Sequence, residues 1–340
     1  WSLSLRASSA GSSAPAAGRA TQNRMNRGSD HVAYLVSGGV QRSALVHIPP
    51  VLDATTPGRA VPAVANFHTM AETGEMMARL THMSDLADQE GFVVVYPEGL
   101  EKANVQGWLP GGIGHTWNGG TCCPKESTSR VDDVGFARAL VHALPSIVAN
   151  LSHNMLSIDP RRIYAAGGSN GAFMVNRIAC QAPDLFAAVA PVSGLIGNGT
   201  AVVWGSDPFD CPPPPRPLPV LHFHGTLDPL VPWIGNPLLG FSSVASYRIV
   251  RKWLAHIPSD ELGRQSFTNG SVECTAFGTA ANNFTFCKHG SGHCWPGSQE
   301  QGSCTLDIDA TQQIWEFFRR YALPPAAESA AIVEERAAIS

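Results

Sequence analysis

The sequence predicts one α/β domain: a mostly parallel central sheet with helices on both faces. Three observations carry that prediction. Apolar runs alternate with helix-periodic stretches from about residue 61 to residue 321. Several of those runs, such as Phe92-Val-Val-Val-Tyr96, are apolar throughout, as strands covered on both faces must be. Finally, the stretch Ile163-Tyr-Ala-Ala-Gly-Gly-Ser-Asn-Gly-Ala-Phe-Met174 passes from a strand pattern to a helix pattern through a serine set among glycines. No internal repeat is visible, so a single domain with an arm at each end is expected: residues 1–29, 30–322 and 323–340.

Each element follows from its local pattern. Alternating runs at 31–36 and 42–48, separated by Ser37-Gly-Gly39, read as a hairpin. Residues 61–67 form an apolar strand that ends at His68-Thr69-Met70. An amphipathic helix is expected over about 75–89, stopped by Gly91, before the strand at 92–96. Residues 97–130 read as loop. Asp132 or Asp133 caps a helix to about residue 150. A strand at 162–166, a helix at 170–181 and a strand at 186–192 come next. Cys211 and the four prolines after it form a stiff spacer, leading to a strand at 220–224. A helix at 241–256, strands at 273–277 and 284–289, and a last helix at 310–321 complete the list.

Composition excludes some functions. The chain has 340 residues, 44 % of them apolar and 15 % charged, enough for a sizeable core. A net charge of −4 and the lack of a basic block give nucleic-acid binding no electrostatic support. No stretch reads as a membrane span; the nearest, at 136–151, carries Arg138, His142 and Pro145. The eight cysteines include no CxxC pair and no zinc spacing, so disulfides and an oxidising compartment are expected. Four N-x-S/T sequons, at Asn150, Asn198, Asn269 and Asn283, agree weakly. Residues 1–29 are rich in Ser, Ala and Gly, hold four arginines and have no acid, a composition expected to stay disordered. The first residue is Trp, which suggests a processed start. The Arg-rich, acid-poor arm also keeps a plastid location beside the extracellular one.

The chemistry centres on Ser169. In Gly167-x-Ser169-x-Gly171 the serine must sit on a sharp strand-to-helix turn, and side chains two residues away would collide there. The helix N-terminus behind it offers amides to a developing oxyanion. A serine needs a base, and the base needs an orienting acid, in the chain order Ser, acid, His for this kind of fold. Asp228, in the loop past the 220–224 strand, supplies the acid. His293, in His289-Gly-Ser-Gly-His-Cys-Trp-Pro296, is the base candidate; His289 competes but lies nearer the strand end. A Cys294–Cys304 bond would pin that loop. The oxyanion donors are expected to be the amides of Asn170 and of Thr69 or Met70. His222 and His224 alternate on one strand with no third ligand nearby, so structural roles are expected and no metal. Trp117, Trp233 and Trp295 are candidates for stacking on a substrate ring, with burial in the core as the alternative.

With these residues assembled, the chain resembles the secreted polyhydroxybutyrate depolymerases and the feruloyl and acetylxylan esterases of the α/β-hydrolase fold. The resemblance rests on Glu90-Gly-Phe-Val-Val-Val-Tyr-Pro-Glu-Gly99, Trp117-Asn-Gly-Gly-Thr-Cys-Cys123 and Val131-Asp-Asp-Val-Gly-Phe136. It continues through Ile158-Asp-Pro-Arg-Arg-Ile-Tyr164, Gly168-Ser-Asn-Gly171, Leu221-His-Phe-His-Gly-Thr-Leu-Asp228 and Gly292-His-Cys-Trp-Pro-Gly297. It implies Ser169 as nucleophile, Asp228 as acid, His293 as base, no cofactor, and an ester substrate, either polysaccharide-linked or a polyester. It also suggests that Cys122 and Cys123 bond Cys180 and Cys211, one each, with Cys274–Cys287 stapling two strands and Cys294 left for Cys304. Two departures matter: the family carries Thr where this chain has Cys294, read as an added disulfide rather than a changed mechanism, and it carries His-Gly where this chain has His68-Thr69, where threonine resists positive φ. The second departure is the main support for a silent binding protein of the same fold; a serine peptidase of the same fold is the other rival.

Overall fold

Among the described residues the apolar runs assemble into one sheet of eleven strands. The computed structural model describes residues 4–6, 27–51, 57–102, 114–120, 131–196, 211, 213–233, 250–258 and 260–325. In chain order the elements are β1 (Ser4–Arg6), β2 (Ser29–Ser37), β3 (Val40–Ile48), β4 (Arg59–Phe67), α1 (Gly74–Thr81), α2 (Met83–Glu90), β5 (Val93–Pro97), β6 (Leu100–Lys102) and β7 (Gly114–Thr116). They continue with α3 (Asp133–Leu151), β8 (Leu156–Gly168), α4 (Asn170–Gln181), β9 (Val189–Val192), β10 (Val220–Gly225), β11 (Arg264–Asn269), β12 (Val272–Phe277), β13 (Phe284–His289) and α5 (Ala310–Phe318). The sheet order is β1-β2-β3-β5-β4-β8-β9-β10-β13-β12-β11. Its centre, β5 to β13, is parallel, and antiparallel strands finish both edges.

Two apolar layers sandwich the sheet. On one face Phe136, Leu140, Leu144 and Ile147 of α3 pack with Phe173 and Ile178 of α4. On the other, Met77 and Leu80 of α1 and Leu86 of α2 pack with Ile314, Trp315 and Phe318 of α5. Each such side chain, fully buried, contributes about 1.5–3 kcal/mol of transfer free energy. Helix α3 has the length and the mean hydropathy, 1.4, of a membrane span, contrary to the expectation that no stretch qualifies. Here its apolar stripe lies against the sheet.

Several expectations change in detail. The helix expected over 75–89 is two helices, because His82 takes φ 51° and closes α1 while Thr81 turns its hydroxyl onto the Met77 carbonyl. Asp132 caps α3, accepting from the Gly135 amide. Part of the expected loop at 97–130 holds the short hairpin β6–β7. β11, Arg-Gln-Ser-Phe-Thr-Asn, was missed because its exposed, polar residues carry no alternation. The expected helix at 241–256 lies mostly outside the described residues; its end, Val250–Leu254, is a π-helical turn. Cys180 bonds Cys211, so neither reaches Cys122 or Cys123, which lie outside the described residues; this corrects the expected pairing. Cys180 sits on α4 and Cys211 starts the proline spacer, so the bond ties that spacer to the helix behind the elbow. Cys274–Cys287 and Cys294–Cys304 are formed.

Register sets the site. Phe67 pairs Gly167, which brings the loop after β4 beside the turn after β8. Gly225 pairs His289, which sets the loop after β10 against the loop after β13. All four loops leave the carboxyl edge of the parallel strands, where ligands bind in open α/β sheets.

Candidate active site

Ser169 occupies the turn between β8 and α4 with φ 50° and ψ −117°, a conformation that costs an L-residue about 1–3 kcal/mol. The glycines make it possible. A Cβ on Gly167 would come within 2.8 Å of the Gly171 backbone, and one on Gly171 would strike the carbonyls of Phe67 and His68. The Ser169 amide donates to the Val192 carbonyl, and its carbonyl accepts from Phe173, opening α4. Its hydroxyl makes no capping bond. The backbone thus holds the turn and leaves the side chain for other work.

Asp228 is buried, 4 % exposed, in the turn after β10. Its Oδ1 accepts from the amides of Leu230 and Val231 at 2.9 and 2.8 Å. Its Oδ2 accepts from His293 Nδ1 at 2.7 Å. Burial pushes the carboxyl pKa up, but the His293 hydrogen bond and charge, with the Val231 amide, outweigh it and hold the pKa below the usual carboxylate value. His224 braces the same turn: its ring nitrogen lies 2.8 Å from the Val231 carbonyl and 3.6 Å from Asp228 Oδ2. An acceptor-only carboxylate on Nδ1 fixes the proton there and leaves His293 Nε2 as the basic nitrogen.

Ser169 and His293 line one cleft of about 230 Å³, together with Thr69, Gly168, Ser193 and Trp295. Among the described residues no hydrogen bond joins Ser169 to His293. Such bonds commonly tighten only with substrate bound. The structure therefore brings together Ser169, Asp228, His293 and Thr69. Met70 follows in the same loop, half-buried. Asn170 is buried, and its side-chain amide clasps the Trp117 backbone, Oδ1 accepting at 2.7 Å and Nδ2 donating at 3.1 Å.

The tryptophan expectations divide. Trp117 is fully buried beneath the loop after β4, edge-on to Phe67, and offers no face to substrate. Trp233 stacks on Phe286 at 5.3 Å, away from the cleft. Trp295 lines the cleft, although only 2 % exposed, and its indole NH donates to Thr311. His289 is buried with both ring nitrogens lacking hydrogen bonds, and burial lowers its pKa to about 4. It does not line the cleft, whereas His293 does.

The loop after β4 holds what sequence reasoning missed. Thr69 is not at positive φ; the left-handed residue is Ala71, at φ 63°. Gly114 makes room for it, since a Cβ there would lie 2.6 Å from the Ala71 methyl. The threonine that replaces glycine thus avoids the positive φ expected of that position. His68, fully buried, has Nδ1 2.7 Å from the Thr69 carbonyl, and its Nε2 accepts the Gly99 amide at 3.0 Å. Burial lowers its pKa to about 4, keeping it neutral. Glu72 turns back toward Thr69, and burial raises its carboxyl pKa. The only forewarning in the sequence was that His68 follows a strand.

A strained serine turn at the carboxyl edge of a mostly parallel sheet, with helices on both faces, is the architecture of the α/β-hydrolase fold. Known proteins agree on the fold. The chain is 26 % identical over 288 residues to feruloyl esterase B of Piromyces equi, covering 83 % of this chain and 46 % of that protein. It is 28 % identical over 286 residues to the putative esterase NocK of Nocardia uniformis subsp. tsuyamanensis, covering 77 % and 73 %. The chain thus spans about half of the first relative and nearly three quarters of the second. Shorter matches reach proteins named acetylxylan esterase and poly(3-hydroxyalkanoate) depolymerase. Among solved structures, acetyl xylan esterase from Aspergillus awamori superposes with a TM-score of 0.55 at 17 % identity, covering 85 % of this chain and 99 % of that one. The prolyl oligopeptidase family matches residues 146–209. The resemblance read from the sequence is thereby borne out: the relatives it matches carry esterase names.

Proposed function

We propose that the chain is a secreted serine esterase acting through an acyl-enzyme. The observation that carries this is the shared cleft of Ser169 and His293, with His293 Nδ1 tied to buried Asp228. Ser169 Oγ bonds to the ester carbonyl carbon while His293 Nε2 takes its proton. The amides of Asn170 and of Thr69 or Met70 hold the oxyanion. Collapse breaks the ester bond, and the alcohol leaves with the proton from His293. Water then attacks the acyl-enzyme, His293 again taking a proton, and frees the acid and Ser169. No step requires a cofactor. Residues 30–322 form the unit we assign to this chemistry.

The substrate class follows the relatives' names: a feruloyl or acetyl ester of a plant polysaccharide, or an aliphatic polyester. Leu227 and Leu230, 71 % and 54 % exposed beside Asp228, favour an apolar group at that rim. The three disulfides among the described residues support an oxidising, extracellular compartment. The prolyl oligopeptidase match spans the elbow segment, which esterases and peptidases of this fold share, so it does not favour a peptidase. The silent alternative loses its main support, because Thr69 is not at positive φ.

A fluorophosphonate probe tests the nucleophile. It should label the wild type and not Ser169→Ala; equal labelling of both overturns the assignment. A panel of p-nitrophenyl acetate, methyl ferulate, acetylated xylan, hydroxybutyrate oligomers and a peptide amide tests the class. Ester turnover without amide turnover is expected, and turnover of none overturns the reading.

A further inference from the structure

Glu98 and His115 lie outside the serine, histidine and aspartate group, yet they bracket the loop that runs from His68 to Gly74. Glu98 Oε1 accepts the Gly74 amide, the first residue of α1, at 2.7 Å. Its Oε2 lies 2.9 Å from His115 Nδ1, which must carry the proton because a carboxylate only accepts. The Glu98 carbonyl accepts from Arg42, and the next amide, Gly99, donates to His68 Nε2. The His115 carbonyl accepts the Ala71 amide at 2.8 Å, and His115 bridges Glu72 across strands. The Trp117 indole donates to the His68 carbonyl at 3.0 Å. The loop that carries Thr69 and Met70 is therefore held at both ends and in the middle by one polar cluster, around the strained Ala71.

We propose that Glu98 and His115 are positioning residues that hold the Thr69–Met70 amides in the geometry an oxyanion needs. This rests on the esterase reading above. A glycine would take a left-handed turn from its own backbone freedom; here the turn falls on Ala71 and is held from outside, through Glu98 and the β6–β7 hairpin. The same three side chains, His68, Glu98 and His115, have ligand atoms within 4.8 Å of one another, a spacing that also fits a cation. Two features argue for bracing instead. The His68 Nε2 lone pair is committed to the Gly99 amide, and Glu98 Oε2 to the His115 proton. A brace matters chiefly when negative charge develops on the carbonyl oxygen, so its loss lowers kcat and leaves ground-state binding.

The test compares wild type, Glu98→Ala, Glu98→Gln and His115→Ala with p-nitrophenyl acetate as substrate and phenylboronic acid as a tetrahedral mimic. In Glu98→Ala, kcat should fall about tenfold, a typical cost for weakening an oxyanion contact without deleting it. KM should stay within about twofold, and the boronate inhibition constant should rise in parallel with the loss in kcat. His115→Ala should show the same split, smaller. Glu98→Gln, which still offers an oxygen to the Gly74 amide, should restore most of the rate. Unchanged kcat and inhibition constant in an active enzyme would overturn the proposal alone. So would kcat, KM and melting temperature moving together, the mark of a structural role. Stoichiometric Zn²⁺ uptake by the wild type that His115→Ala abolishes would overturn it too. A wild type that hydrolyses no ester would bring down the esterase reading and this one with it.

Discussion

The two walls of the cleft are built differently. On one wall Asp228 and His293 meet through their side chains, and the loop behind them is closed covalently by Cys294–Cys304, directly after the histidine. On the other, the groups we assign to the oxyanion are backbone amides, and hydrogen bonds from His68, Glu98, Gly99 and His115 hold their loop. Side-chain chemistry leaves letters in the sequence. Backbone geometry leaves only the letters of whatever braces it, often far along the chain.

The comparison can be broken first at its strongest point. Asp228→Asn should lower kcat by about 10³- to 10⁴-fold, the range seen when a triad acid becomes an amide. The local reason is specific. The Leu230 and Val231 amides require an oxygen at the Oδ1 position, so the new NH₂ must face His293. Nδ1 must then accept, the ring proton moves to Nε2, and the base is lost. Steady-state kinetics on p-nitrophenyl acetate with folding checked by circular dichroism would test this. A loss under tenfold would mean that this wall does not set the tautomer.

What could be read from the sequence divides along the same line. The turns that hold Ser169, Asp228 and His293 were legible because each stands at the end of an apolar strand run and has a composition with a chemical reason. For Trp117 the sequence left substrate stacking and core burial both open, because a tryptophan near glycines looks the same whether it lies over a cleft or under a loop. Glu98 and His115 were invisible: they stand 17 residues apart, in a stretch that reads as loop, and β6 and β7 are three residues each. The strain expected at Thr69 fell on Ala71, because which residue of a turn goes left-handed depends on what packs against it, here Gly114.

The covalent wall gives the next prediction. Cys294→Ala with Cys304→Ala opens a loop of 10-residue separation. Loop-closure entropy puts the loss near 3 kcal/mol. Chemical unfolding should show it as a lower midpoint, with kcat down several-fold because His293 precedes the bond, and with boronate affinity falling no more than kcat. A variant with native midpoint and rate would show that the hydrogen bonds to Asp228 suffice to hold this wall.

The finest test sets one buried histidine of each wall against the other. His68 and His289 are both desolvated, and burial lowers each pKa from 6.5 to about 4. As pH falls below about 6.5 the unfolded chain takes up a proton at each site while the folded chain does not until near 4. Stability is therefore lost through that window, at up to about 1.4 kcal/mol per pH unit for each histidine. Their partners differ. His68 donates to Thr69 and accepts from Gly99, whereas neither ring nitrogen of His289 has a hydrogen bond. His289→Phe should therefore flatten the fall in melting temperature between pH 7 and pH 5 by a few degrees and keep kcat within about twofold. His68→Phe should flatten it equally but lose activity, because the Gly99 amide and the Thr69 carbonyl would be left unpaired around the oxyanion loop. Equal activity in the two variants would mean that the backbone wall holds itself, and that its histidine is no more than filling.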